Sequence, residues 1–277
     1  MNIQQYSPSG FTLLPPVVKN LLIINGLFFL ATLSFESAFG IDLVRILGLH
    51  YFRSDFFQPY QFVTYMFLHA DWQHILYNMF ALWMFGYLLE NVWGSKRFLT
   101  YYILTGIGAA ITQTLVNYWH FSTLEASALA YNQAPSFQAF SAFVSSHFPQ
   151  YYENGGTVRD FISNWSLSPN SSDYMRQSIE YVSQLINLRM DVPTIGASGA
   201  VFGILLAFGM MFPNMLVYIY FLFPIKAKWI VIFYGAIELF SGITNNPSDN
   251  VAHFAHLGGM VFGFFLLLYW KKRSSYS

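Results

Sequence analysis

Six stretches of this chain have the length and apolarity needed to cross a bilayer, and that feature leaves few folds open to it. A spanning helix takes roughly 20 mostly apolar residues. The stretches lie at about 17–35, 72–92, 98–118, 196–212, 228–243 and 251–270. Inside hydrocarbon every backbone N–H and C=O must find a partner within the chain, so only helices or a closed barrel can span. Continuous apolar runs of this length read as helices. Composition agrees, because only 9% of residues are charged and 55% are hydrophobic, whereas a soluble domain carries about 25% charged residues. The expected fold is all-α, a polytopic membrane protein with six transmembrane helices. The apolar run at 215–224 ends in a proline and reads as an interfacial connector.

Lysine and arginine placement sets the orientation. Lys19, Lys96–Arg97, Lys226, Lys228 and Lys271–Lys272–Arg273 fall at alternate ends of the six stretches, and the opposite short loops hold only Arg45 and Arg53. Both termini are therefore expected on the cytoplasmic side. The acidic residues Glu36, Asp42, Asp55, Asp71 and Asp249 fall on the other side. The resulting organisation is a short N-terminus (1–16), three spans (17–118), an extracytoplasmic insertion (119–193), three more spans (194–270) and a basic tail (271–277). The insertion is rich in Ser, Asn, Gln and Tyr. Within it Met175, Ile179, Val182 and Ile186 recur at helical spacing after Ser171–Ser172–Asp173, a helix-start signature. This suggests a small helical cap, too polar to form an independent domain. No cleavable signal peptide is read in the first seventeen residues.

The charge balance is neutral, with 13 basic and 13 acidic residues, which gives no basic surface for nucleic acid. The chain has no cysteine, so disulfides, thiolate metal sites and cysteine nucleophiles are excluded.

Polar groups inside a membrane are costly and point to function. Three clusters stand out: His69, His74 and Asn78 around the start of the second stretch, Gly196–Ala197–Ser198–Gly199 opening the fourth, and His253 and His256 in the sixth. All three stretches run from outside to inside. At about 1.5 Å rise per residue, Ser198, His74, Asn78 and His256 lie within roughly 10 Å of the outer boundary. A serine hydroxyl needs a neighbouring base to become a nucleophile, and His256 is the candidate. The free N–H groups at the start of the fourth helix, with His74 and Asn78 one turn apart on a shared face, can serve an oxyanion. Gly199 and Gly203, with Gly259 and Gly263, form small-residue stripes that let the fourth and sixth helices approach. Phe202, one turn after Ser198, can pack on the His256 ring. His253 reads as a rim residue, His69 as a loop–helix junction residue, and Glu238 as a lone carboxylate buried against a polar neighbour. Trp229 and Phe233 read as lipid-facing aromatics or as part of a lateral gate.

The combination of HADWQHILYN, GASGAVFG and AHLGGMVFG resembles the rhomboid family of intramembrane serine proteases, over roughly two-thirds of the chain. The resemblance implies a six-helix bundle with Ser198 as nucleophile, His256 as base, and His74 and Asn78 as the oxyanion-stabilising pair. Gly196, Gly199, Phe202 and Gly259 would pack the site. It also implies a dyad with no carboxylate third member, which fits the absence of an acid near His256 on the sixth helix. Substrates would be transmembrane segments of other membrane proteins within the bilayer, and no metal or cofactor would be needed. The implied location is a bacterial inner membrane. Many members carry tyrosine where this chain has Phe202, and the insertion lies outside the compact family core. Two other classes compete. One is an inactive relative that binds membrane clients, although such relatives usually lose the serine or the histidine. The other is a metal-dependent membrane protein using His69, His74, His253 and His256, but HExxH is missing, as are the intramembrane aspartates of aspartyl proteases.

The charge pattern makes one expectation directly measurable. In a bacterial host, alkaline phosphatase fused after Ser277 should be inactive and the same reporter inserted within 119–193 active; the reverse pattern would invert the topology.

Overall fold

The computed structural model describes residues 11–153, 156–219, 223–244 and 251–274. The first ten residues, Asp249 and the last three residues of the basic tail lie outside the described residues. The elements are α1 (Pro16–Phe39), α2 (Leu43–Leu47), α3 (Gln61–Thr64) with a 3₁₀ turn (Tyr65–Phe67), α4 (Trp72–Trp93) and α5 (Ser95–Gln133). Next come α6 (Phe137–His147), α7 (Pro149–Glu153), α8 (Thr157–Ser166), α9 (Ser172–Met190) and α10 (Ser198–Met211). Strands β1 (Leu216–Ile219) and β2 (Phe223–Lys226), α11 (Ala227–Thr244) and α12 (His253–Ser274) complete the chain.

The protein is an all-α, polytopic membrane protein. Four described helices are long and apolar enough to cross a membrane: α1, α5, α11 and α12. The fourth and second stretches of the sequence reading fare differently. Helix α10 is apolar but has only 14 residues. Helix α4 has 22 residues but carries Gln73, His74, Asn78, Glu90 and Asn91 among its apolar side chains. The span expected at 98–118 is part of a longer helix, the 39-residue α5. The connector at 215–224 contributes to an antiparallel pair, β1 with β2, in which Leu216 faces Lys226 and Ile219 faces Phe223. This ribbon is the one departure from helix among the named elements. Pro224 stands in β2, a two-stranded edge where a missing N–H is tolerated.

Two compact units divide the chain. The first comprises 1–49, 58–114 and 193–277, and the second 50–57 and 115–192. In the first unit the helices bury narrow stripes and expose broad apolar faces. Helix α1 buries Val18, Leu21, Asn25, Phe29 and Thr32 and exposes Ile23, Leu27 and Leu30. Helix α11 exposes Trp229, Phe233 and Phe240, so both aromatics read as gate candidates lie on its outer face. Exposed apolar area on this scale would be a liability in water and is ordinary against lipid. Helix α10 is the central element, packed most extensively on α12 and next on α4.

A buried carboxylate ties α1 to α4. Glu90 is only 2% exposed, and its two oxygens accept from the Val17 and Val18 N–H groups at 2.9 and 2.8 Å. Ser95 Oγ donates to it at 2.6 Å. Because α1 starts on Pro15–Pro16 with no side-chain cap of its own, Glu90 supplies the acceptors its first turn lacks, and its charge suits the positive end of the helix.

The second unit holds the insertion and has a core of its own. Phe140, Phe148 and Trp165 are essentially fully buried, together with Val144, Leu124 and Val182. Trp165 donates from Nε1 to Pro169 O at 3.2 Å. The helix expected after Ser171 is α9, with the Ser171 side chain accepting from the Tyr174 N–H. Val182 and Ile186 of its expected stripe are buried, and Met175 packs on the core. Ile179 is exposed instead, and the inward position is taken by Ser178, bonded to Tyr131. The insertion thus has an aromatic core, where its composition suggests a cap too polar to stand as a domain.

Replacing Glu90 by Ala should strand the two α1 N–H groups, each unsatisfied buried group costing about 1–3 kcal/mol. A clear drop in the detergent unfolding temperature is expected; an unchanged value would remove Glu90 from the fold's support.

Candidate active site

The loop before α10 sets the site. Leu49 and Thr194 exchange backbone hydrogen bonds at 2.9 and 2.8 Å, and the Gly196 N–H donates to Tyr65 O at 2.9 Å. Tyr65 is itself held by its hydroxyl, which donates to Gly106 O at 2.7 Å. Gly196 then turns the chain at φ 125°, a backbone region that side chains with a Cβ avoid. Helix α10 begins at Ser198, with Ala197 as its N-cap and no side-chain capping bond. Its first N–H groups are left for something other than the protein's own caps.

Ser198 Oγ lies 2.7 Å from His256 Nε2, a hydrogen bond between side chains from two helices. The Phe202 ring stacks on the His256 ring with centroids 4.3 Å apart and planes 5° from parallel, which fixes the imidazole plane. Tyr234 of α11 meets Phe202 edge-on at 6.3 Å.

Glycines make the meeting of these two helices possible, in an arrangement that differs in part from the expected stripes. A Cβ on Gly259 would stand 1.9 Å from Gly199 O, so here α12 touches the α10 backbone directly. The other three stripe glycines open onto α5: Gly199 faces Ala109, Gly203 faces Thr105, and Gly263 faces Tyr101. Tyr101 also donates its hydroxyl to Gly203 O at 2.9 Å. The small residues therefore admit a third helix as well as bringing the first two together.

His74 also reaches the serine turn. The His74 N–H is capped by Asp71 at 2.8 Å, and its Nδ1 accepts from the Ala70 N–H at 3.3 Å. That leaves the proton on Nε2, and a methyl group on Gly196 would stand 2.8 Å from that Nε2 and 3.5 Å from Ser198 Oγ. Asn78 is buried one turn on, and its amide donates back to His74 O at 3.0 Å. That bond uses one of two amide hydrogens. The described contacts thus join His74 to the Ser198 turn, while Asn78 is joined to His74. His69 is buried and lies edge-on to the His74 ring at 4.9 Å. Burial, and then the neighbouring His74, bring its pKa down to about 3, so the ring is neutral.

One contact was not expected. Glu238 of α11 is 7% exposed, and its Oε2 lies 2.6 Å from His253 Nδ1 and 2.9 Å from His256 Nδ1. The second contact is a charge contact only, because Nδ1 of His256 has no hydrogen-bond partner among the described residues. Glu238 is buried against polar neighbours as the sequence suggests, and those neighbours are His253 and His256. The acid that α12 lacks comes from the adjacent helix. The sequence signal was a lone carboxylate in one apolar stretch and two histidines three apart in the next. The donor atoms of Glu238, His253 and His256 lie within 4.8 Å of one another, a set able to hold a metal ion.

Comparison with known proteins agrees with the motifs. The chain matches the family model described as Rhomboid domain over residues 57–131 and 145–273. It is also 33% identical over 94 residues to "Rhomboid-like protein 11, chloroplastic" of Arabidopsis thaliana, an alignment covering 33% of this chain and 34% of that relative. The chain thus spans about a third of the length of this curated relative.

Gly196→Ala combines a strained backbone with a methyl group against His74. It should reduce any activity of the site by more than about tenfold, an effect of the size that small misplacements of reacting groups produce. Wild-type activity in that variant would show that the turn is not part of the machinery.

Proposed function

The chain belongs to the rhomboid family, and from that premise we propose that it is an intramembrane serine protease, hydrolysing peptide bonds in or near transmembrane segments of other membrane proteins. The observation that carries this reading is the 2.7 Å contact between Ser198 Oγ and His256 Nε2. In the proposed reaction His256 takes the Ser198 proton as Oγ bonds to the scissile carbonyl carbon. The resulting oxyanion is met by the uncapped N–H groups of α10 and by the Nε2–H of His74, with Asn78 supplying its second amide hydrogen. Collapse of the intermediate breaks the C–N bond, and His256 passes its proton to the leaving amine. Water then repeats the sequence on the acyl-enzyme and releases the serine.

The site chemistry is complete without a cofactor. The bundle is taken to comprise six spans, with α4 and the short α10 as the two less apolar or shorter members. Both termini are taken to face the cytoplasm, in a bacterial inner membrane; the chloroplastic location in the relative's name, carried over, would make it a plastid membrane. The competing reading is a rhomboid-like scaffold that holds membrane clients without cutting them. Retention of both Ser198 and His256 in contact favours catalysis.

A fluorophosphonate probe should label Ser198 in detergent-solubilised protein, and Ser198→Ala and His256→Ala should each abolish cleavage of a model transmembrane substrate. Asn78→Ala should lower turnover by about 10²-fold, the loss expected for one oxyanion donor. Folded protein that takes up no probe would favour the scaffold; loss of activity on adding a chelator would favour metal chemistry.

A further inference from the structure

We infer that Glu238 is a positioning residue for His256, making the site a serine–histidine–glutamate triad assembled from α10, α12 and α11. The inference rests on the proposed dyad and extends it. An ionised carboxylate can accept hydrogen bonds but has none to donate. Oε2 of Glu238 lies 2.6 Å from His253 Nδ1 and 2.9 Å from His256 Nδ1, so the favoured state puts a hydrogen on both Nδ1 atoms. For neutral His256 that leaves the Nε2 lone pair facing Ser198 Oγ at 2.7 Å. That is the tautomer a base needs, and the alternative tautomer would aim an N–H at the hydroxyl it must deprotonate. When His256 takes the serine proton, the imidazolium forms with a negative oxygen already beside it. The His256 contact acts through charge at 2.9 Å and makes no hydrogen bond, and no proton passes to Glu238.

Two further observations favour positioning. The flat face of His256 is held by Phe202, a ring with no hydroxyl, so stacking fixes the plane but cannot choose the tautomer. Glu238 meets the ring edge and can. The spacing of the cluster also suits hydrogen bonds better than metal ligation. Donors on one zinc ion at about 2.0–2.1 Å would stand roughly 3.3 Å apart in a tetrahedral site, whereas these pairs meet at 2.6 and 2.9 Å.

The test is Glu238→Gln, which keeps the shape and removes the charge. The variant is compared with wild type and Ser198→Ala in kcat, KM, probe-labelling rate at Ser198 and unfolding temperature. The expected result is a fall in kcat and labelling rate of about 10- to 100-fold, corresponding to the loss of a negative charge beside the imidazolium in the transition state. KM and unfolding temperature should stay near the wild-type values. Equal kcat and labelling in Glu238→Gln and wild type would overturn the inference while leaving the dyad standing. A fall in unfolding temperature matching the fall in kcat would make Glu238 merely structural. Wild-type protein that neither labels nor cleaves would remove the dyad, and the role of Glu238 with it. Loss of wild-type turnover on chelation, restored by zinc, would overturn it in favour of a metal site.

Discussion

The contact on which the site depends contains no side chain. Gly259 of α12 rests against the carbonyl oxygen of Gly199, at a spacing no Cβ could enter. In hydrocarbon there is no hydrophobic drive to press helices together, so close backbone packing must supply the attraction. Here the same packing sets the geometry of the candidate site. Ser198 precedes Gly199 by one residue and His256 precedes Gly259 by three, so the two glycines fix the distance between hydroxyl and imidazole. Helix α5 braces the pair through Ala109, Thr105 and Tyr101, and Tyr65 anchors the turn that brings Ser198 in.

Each functional side chain is held by a different kind of constraint. Backbone geometry aims Ser198, through the left-handed turn at Gly196. Ring stacking by Phe202 sets the plane of His256. Hydrogen bonds donated to the Asp71 carboxylate and accepted from the Ala70 N–H orient His74. Because these constraints arise from separate helices, the site is a product of the assembled bundle, and no short segment could reproduce it.

Much of this was legible in the sequence, for definite physical reasons. A continuous apolar run in a chain with few charges specifies a helix of bilayer length, and polar residues interrupting such a run are conspicuous. Ser198, His256, His74 and Asn78 were visible on that ground, and the three motifs carried the family. Glu238 was visible as an oddity, but its partner was not, because that depends on the rotational phase of α11 against α12. The partners of Gly199, Gly203 and Gly263 were hidden for the same reason. The core of the second unit was legible only in the stripe of α9, because most of its other members come from α5, α6 and α8 and meet only when those helices fold together. Ser178 shows the difficulty: a polar side chain sits inward where the helical pattern assigned Ile179.

The trio of Glu238, His253 and His256 carries a thermodynamic consequence. Three ionisable groups withdrawn from water cost more solvation than an apolar trio of equal volume would, and mutual contacts restore that loss only in part. The junction of α11 and α12 therefore carries a solvation cost that apolar side chains there would avoid. Local instability of this kind is the usual companion of chemistry in a folded protein. In this chain it is concentrated in one carboxylate oxygen shared by two rings.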